Sequence, residues 1–300
     1  MAIDRRQFAA ALAASSFGAL LTPPDAWAAK TVAPGRNPIC CFAKPLQHLS
    51  FDALADQMAE MGFQGIEATV RKGGQVDPAQ VQDDLPKLAE ALKQRGLEIT
   101  IMASDVNSVE QQGTQQVLRV AAALGIKFYR MKYFRYDRDR PITRQLQEIR
   151  PRMKSLAALN RELGITALYH NHSGSRYVGS MLWDVHGLLE GIPPSEIGLA
   201  YDIRHAVVEA GLSWPIGFRL VRPQIRAVCV KDFRWQGERP KNVPLGDGRV
   251  GKSFFKLLKQ SDFKGPLSLH MEYIDHRDPA LIEQSLQAIA HDLKVLKSFL

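Results

Sequence analysis

Eight short apolar runs rich in β-forming residues punctuate this sequence. They are ICCF (39–42), GIEATV (65–70), EITIMA (98–103), FYRMKY (128–133), ITALYH (165–170), IGLAYD (197–202), IRAVCVKD (225–232) and LSLHME (267–272). They recur every roughly 25 to 40 residues, the scale of one strand–helix unit with its loops. Between them, stretches such as SFDALADQMAEMGF, DLPKLAEALKQRGL and QQVLRVAAALGI place apolar residues at helical spacing. Several of these stretches stop at a glycine, Gly62, Gly96, Gly125 or Gly164, where a left-handed cap closes a helix before the next strand. Strands alternating with helices predict a parallel sheet covered by helices. Eight such units in roughly 270 residues match a closed α/β barrel, the (β/α)8 TIM barrel. A doubly wound open sheet is the alternative; it more often carries a glycine-rich phosphate loop after its first strand, and this sequence has none there.

A barrel fixes which way each side chain points. One face of every strand packs on helices, and the other fills the interior, turning polar toward the C-terminal ends where active sites are built. In the last run, Leu267, Leu269 and Met271 share one face and Ser268, His270 and Glu272 the other. The seventh run sets Val228 and Val230 outward against Ala227, Cys229 and Lys231 inward. The sixth opposes Leu199 and Tyr201 to Ala200 and Asp202, and the fourth opposes Tyr129 and Met131 to Arg130 and Lys132. In the fifth, Leu168, His170 and, if the strand continues, His172 face inward. With Glu67 from the second run, acids, bases and cations gather at one end of the barrel. Paired structural charges account for part of this, but their concentration at one mouth points to a functional pocket.

The N-terminus reads differently. MAIDRRQF is followed by an apolar run from Phe8 to Leu21 and then by Ala26-Trp27-Ala28, a small-x-small cleavage pattern. Residues 1–28 therefore read as a removable leader and 29–300 as a single barrel domain with no membrane span. Arg5-Arg6 followed by Phe8 resembles a twin-arginine export signal, which places the mature protein in the periplasm; a cytoplasmic protein with an accidental apolar N-terminus is the alternative. The net charge of +8 is spread along the chain. No Lys/Arg block with interleaved aromatics suggests a nucleic-acid partner, and a small-molecule carbohydrate or acidic metabolite is equally compatible. The three cysteines, Cys40, Cys41 and Cys229, sit in apolar settings that suggest buried thiols.

YHNHSG, YDIRHA, VKDFRW with PLGDG after it, and LHMEY stand in an order and spacing that resembles the xylose isomerase-like barrel superfamily, which includes sugar isomerases, epimerases and apurinic-site endonucleases. The resemblance implies a divalent metal, zinc or manganese, held by Glu, Asp, His and Glu from four successive strands. Carried over, Asp202 and Glu272 occupy two of those positions, with His205 at the Asp-x-x-His spacing. The first Glu position falls on His170, and the strand-seven His position falls on Cys229. Two readings stay open: a mixed site of His170, Asp202, Cys229 and Glu272, with His172 able to replace His170, or a site in which Lys231 supplies the positive charge.

The chemistry implied by the resemblance is proton movement next to a carbonyl. Glu272 is then a ligand or base, Glu67 a second acid/base and His172 a further catalytic group. Lys231, Arg130 and Lys132 stabilise oxyanions, while Arg71 in RKGG, His205, His270 and Trp235 bind substrate. Trp183 reads as part of a helix core, and Asp232 either caps a loop or pairs with Lys231. The aromatic-basic YFRYDRDR stretch is either a solvated face or a wall of the pocket. The function expected is a sugar isomerase or epimerase acting on a keto-sugar or cyclic polyol. A lyase or hydratase of an oxidised glycoside and a non-catalytic sugar-binding barrel are the alternatives; an endonuclease needs more histidines than the eight present.

Overall fold

The computed structural model describes residues 37–300, so the leader expected at residues 1–28 lies outside the described residues. The first half of the barrel runs β1 (Ile39–Phe42), α1 (Phe51–Met61), β2 (Gly65–Val70), α2 (Val81–Lys93), β3 (Glu98–Ser104), α3 (Thr114–Ala123), β4 (Phe128–Arg130) and α4 (Ile142–Leu163). The second half runs β5 (Thr166–His170), α5 (Leu182–Leu189), β6 (Ile197–Asp202), α6 (Ile203–Ala210), α7 (Trp214–Val221) and β7 (Ile225–Val230). A hairpin, β8 (Asp232–Gln236) and β9 (Arg239–Val243), precedes α8 (Lys252–Gln260), β10 (Leu267–Leu269) and α9 (Ile282–Phe299). The strands close in the order β1-β10-β7-β6-β5-β4-β3-β2, and every neighbouring pair is parallel. This is the expected TIM barrel.

The local signals act as the sequence predicts. Ser50 caps α1 by accepting the Ala53 N–H at 3.2 Å, and Gly62 and Gly164 close α1 and α4 at φ 78° and 65°, a conformation other residues reach only at a cost. Inside the barrel, Cys40, Ile101, Leu168, Ala200, Ala227 and Cys229 form a small inner core. Their alternates, including Tyr129, Leu199, Tyr201, Val228, Val230, Leu267 and Leu269, join the larger core under the helices. All three cysteines are buried free thiols. The inner core is built mostly of small side chains, leaving the upper interior to polar groups.

Two strand ends depart from expectation. β4 stops at Arg130; the next amide but one, that of Lys132, bonds the Val106 carbonyl at 2.9 Å. The Lys132 side chain is exposed and lines a groove with Asn107, Ser108, Glu110, Gln111 and Arg152, so it does not enter the mouth. β7 stops at Val230, and Asp232 opens the antiparallel hairpin. Asp232 accepts the backbone N–H groups of Phe233, Gly246, Gly248 and Val250 at 2.8 to 3.1 Å, which makes it the cap of the PLGDG loop.

Candidate active site

Asp202 ends β6 and caps α6: its Oδ1 accepts the His205 N–H at 3.0 Å, where the partial positive charge of a helix N-terminus favours a carboxylate. Its Oδ2 lies 3.1 Å from His170 Nε2, 3.2 Å from Lys231 Nζ and 3.7 Å from His205 Nε2. Lys231, the residue after β7, also reaches Glu272 Oε2 at 2.6 Å. One ammonium thus bridges the two carboxylates that the resemblance assigns to metal ligation. Asp202, His170 and Lys231 are all at most 5% exposed.

Two arginines fix the hydrogens on the imidazoles. Arg130 Nη1 donates to His170 Nδ1 at 3.0 Å, and Arg204 Nη1 donates to His205 Nδ1 at 3.0 Å. A guanidinium can only donate, so each Nδ1 is an acceptor and each Nε2 carries the proton; that of His170 bonds Asp202, while that of His205 is buried with no hydrogen-bond partner among the described residues. Tyr133 Oη and Ser173 Oγ address the same two Nδ1 atoms at 2.9 and 2.8 Å. Burial pushes His170 down to about 3, keeping it neutral. Burial alone raises Asp202, but His205, Lys231 and His170 outweigh it and hold the carboxyl well below its usual range. Lys231 is the converse: burial lowers it, and Asp202 and Glu272 more than restore its charge.

Beside this cluster lies a second network. Glu67 is fully buried; Oε1 accepts from Arg130 Nε at 2.6 Å, and Oε2 accepts from Ser268 Oγ at 2.6 Å and His270 Nε2 at 2.9 Å. Phe42 stacks on His270 at 4.4 Å and carries the Arg130 guanidinium 4.8 Å over its ring. Both Glu67 oxygens are engaged, and through Oε1 Glu67 holds Arg130, which in turn donates to His170. His270 is likewise 2% exposed and belongs to this network.

His172 lines the wall one inward step beyond His170. Its Nδ1 meets the Ser173 carbonyl at 2.8 Å; a carbonyl only accepts, so Nδ1 carries the proton and Nε2 a free lone pair. The ring lies 4.0 Å from that of His205 and 4.3 Å from that of Tyr177. Burial, with the charge of Lys231 second, pushes His172 down to about 4. Two partly buried cations, Lys44 and Arg71, have no ion pair among the described residues; burial lowers both, and each feels the charge of Arg130. Trp235 stands 44% exposed on β8, beside Phe233 and on the same strand face; Arg204 packs over the Phe233 ring at 5.4 Å. Trp183 is 63% exposed on α5, not in a helix core.

Sequence reasoning overlooked Arg204, Lys44, Ser173 and Tyr177. Arg204 stood inside the quoted YDIRHA, and a cation directly after the first strand, as in ICCFAK, is a signal of the same kind. In the aromatic-basic stretch after β4, Tyr133 reaches His170, while the charged residues Arg135, Asp137, Arg138, Asp139 and Arg140 are exposed. Asn171, between the two histidines, pins β5 to β6 by bonding both the N–H and the carbonyl of Asp202, at 2.7 and 3.0 Å.

Donor atoms of His170, Asp202 and Cys229 lie within 4.8 Å of one another, as do those of Glu67, Cys229 and His270. The residue types suit zinc, but their arrangement does not fit a divalent ion. The imidazoles of His170 and His205 present N–H rather than lone pairs, Asp202 and Glu272 are bridged by an ammonium, and burial pushes the Cys229 thiol up. Of the four expected ligands, His170, Asp202 and Cys229 have their donor atoms engaged or protonated, and Glu272 is tied to Lys231 through Oε2.

A closed parallel barrel with its titratable groups massed at the C-terminal strand ends is the architecture on which TIM-barrel active sites are built. Residues 55–299 match the xylose isomerase-like TIM barrel family, and the chain belongs to it. An inosose dehydratase of Mesomycoplasma hyopneumoniae is 23% identical over 287 residues, covering 82% of this chain and 90% of that protein. Among solved structures, a putative xylose isomerase from Rhodospirillum rubrum aligns at TM-score 0.72 and 16% identity, over 88% of this chain and 99% of that one. An L-ribulose 3-epimerase aligns at 0.68 and 14%, over 88% and 94%. A barrel from Mycobacterium smegmatis in complex with magnesium aligns at 0.62 and 14%, over 86% and 98%. At these identities the structural likeness is one of fold.

Proposed function

We propose that the protein is a sugar-modifying enzyme that removes a proton from the carbon next to the carbonyl of a keto-sugar or cyclic polyol ketone. The observation that carries this reading is the pairing, in one mouth, of a neutral His172 whose Nε2 is free to accept a proton with the Lys231 ammonium held between Asp202 and Glu272. An imidazole neutral at pH 7 with an open Nε2 can accept a proton, at a basicity below that of an ordinary histidine, and a buried cation stabilises the oxyanion that forms. The substrate's C–H proton passes to His172 Nε2, and the electron pair moves onto the carbonyl oxygen to give an enolate.

Protonation of the opposite face by water, with His172 giving its proton back to solvent, gives epimerisation, and return of the His172 proton to the neighbouring carbon gives isomerisation. Transfer of the His172 proton to a departing β-hydroxyl gives water and an enone. The inosose dehydratase relative, matched over 82% of this chain, favours this second outcome, while the epimerase neighbour keeps the first in view. Glu272 is the weaker base of the two because its carboxylate is tied to Lys231 at 2.6 Å. Lys44 and Arg71 receive substrate oxygens at the rim, and Trp235 offers a face to the ring. The test is a panel of keto-sugars, keto-glycosides and inososes followed by proton NMR in deuterated water, which reads exchange, epimerisation and elimination together. Exchange with at least one ketone is expected; a panel without exchange overturns the reading.

We also read residues 1–28 as a twin-arginine leader and 29–300 as the exported barrel. Arg5→Lys with Arg6→Lys should strand the protein in the cytoplasm; unchanged fractionation overturns that reading.

A further inference from the structure

We propose that Lys231 takes the place of the divalent metal, so that this barrel stabilises its enolate with an ammonium and works without a metal ion. The inference rests on the proposed proton abstraction for its chemistry and on the site's hydrogen-bond polarity for its geometry. Lys231 Nζ sits between Asp202 Oδ2 at 3.2 Å and Glu272 Oε2 at 2.6 Å, the two positions where the resemblance expects metal-ligating carboxylates. An ammonium has three N–H donors; one hydrogen-bonds Glu272 Oε2 at 2.6 Å, Asp202 Oδ2 pairs with its charge at 3.2 Å, and the remaining N–H capacity is left for a substrate oxygen.

The surroundings are built for that ammonium. The imidazoles nearest Asp202 are held by Arg130 and Arg204 with their N–H, not their lone pairs, toward the carboxylate. Neither imidazole can turn a lone pair to an ion unless its arginine lets go, and Arg130 is itself locked by Glu67 at 2.6 Å. Charge agrees: Arg130, Arg204 and Lys231 already stand against Glu67, Asp202 and Glu272, and Lys44 and Arg71 add positive charge at the same mouth. A divalent ion would add two uncompensated positive charges to a buried cluster, which is strongly unfavourable. In this arrangement the arginines set the imidazoles, His170 Nε2 and the Lys231 charge face Asp202, and the carboxylates hold Lys231, while His205 Nε2 is buried without a hydrogen-bond partner among the described residues.

In the reaction the Lys231 N–H hydrogen-bonds the carbonyl oxygen and then the enolate oxygen as the C–H proton moves to the base. The ammonium keeps its protons and forms no covalent bond. No oxidant or reductant takes part.

The test has three arms. The purified protein is dialysed against zinc, manganese, cobalt or magnesium, desalted and analysed for bound metal, and its melting is followed with and without EDTA. Well under one ion per chain and a melting temperature unmoved by metal or chelator are expected; one tightly bound ion per chain with chelator-sensitive melting overturns the inference. In the second arm, solvent exchange of a reactive ketone proceeds unchanged in EDTA, and Lys231→Met slows it by about 10²- to 10³-fold, the cost of losing an oxyanion donor; full activity in Lys231→Met overturns the inference. Lys231→Gln, which keeps hydrogen bonds to the carboxylates, serves if Lys231→Met does not fold. Borohydride trapping of substrate on Lys231 in the third arm would overturn the non-covalent role. If no ketone exchanges with the unmodified protein, the proposed function fails while the metal and melting arms still judge the role of Lys231.

Discussion

Replacing Glu67 by glutamine separates a base from a scaffold. Glu67 is fully buried, and its partner Arg130 has a side chain 9% exposed at 2.6 Å. At an effective dielectric of about 20, two charges about 3 Å apart attract by roughly 5 kcal/mol. Most of that offsets the cost of taking both ions out of water, but removing one partner leaves the other charge buried and unpaired, which costs about 3–5 kcal/mol. Glutamine keeps one oxygen to accept from Ser268 or His270 and turns an amide toward Arg130, so the expected loss is near ~3 kcal/mol, the low end of that range. Pairing Glu67→Gln with Arg130→Met removes the stranded charge, and the double variant should recover about 1–2 kcal/mol relative to the sum of the single ones. Urea unfolding followed by circular dichroism reads all three values. If Glu67→Gln unfolds within about 0.5 kcal/mol of the unmodified protein, the range of an ordinary surface change, and yet loses solvent exchange, Glu67 is the base and its positioning role is wrong.

Two further predictions concern pH and the hairpin loop. His170 falls from 6.5 to about 3 and His172 from 6.5 to about 4, so below pH 6.5 the unfolded chain binds protons that the folded chain does not, and stability drops as the pH falls toward 3. At about 1.4 kcal/mol per pH unit, His170 alone removes roughly 4 kcal/mol across that window; urea midpoints that are flat between pH 6.5 and 4 contradict it. A Cβ at Gly248 would collide with Asp232 Oδ1 and the Phe233 carbonyl, so Gly248→Ala should break the Asp232 cap and lower stability by about 1–3 kcal/mol; an unchanged melting temperature would show that the loop adjusts freely.

The barrel was legible because strand-sized β-rich runs and helix-sized segments alternate eight times, and the two-residue period assigns faces. Leu168, Ala200, Ala227 and Cys229 fall in the inner core, and Leu267, Leu269, Val228 and Val230 in the outer one, as alternation predicts. The gathering of His170, Asp202, Lys231 and Glu272 followed from the same count. What the pattern did not carry is which inward groups spend their polar atoms on one another. Glu67 gives both oxygens to Arg130, Ser268 and His270, and Lys132 sits past the point where β4 ends. Nor does a sequence say which nitrogen of a histidine holds the proton; that depends on Arg130 and Arg204, whose reach to His170 and His205 is a matter of tertiary geometry.

The central claim is that a neutral histidine takes a carbon-bound proton beside a lysine-held oxyanion. Proton NMR in deuterated water, run on a reactive ketone with the unmodified protein, His172→Gln and Glu272→Gln in the presence of EDTA, tests it most directly. Exchange by the unmodified protein and a loss of about 10²- to 10⁴-fold in His172→Gln, the usual worth of a general base, with unchanged melting, is the result predicted. Full exchange in His172→Gln, with the loss confined to Glu272→Gln, would contradict it.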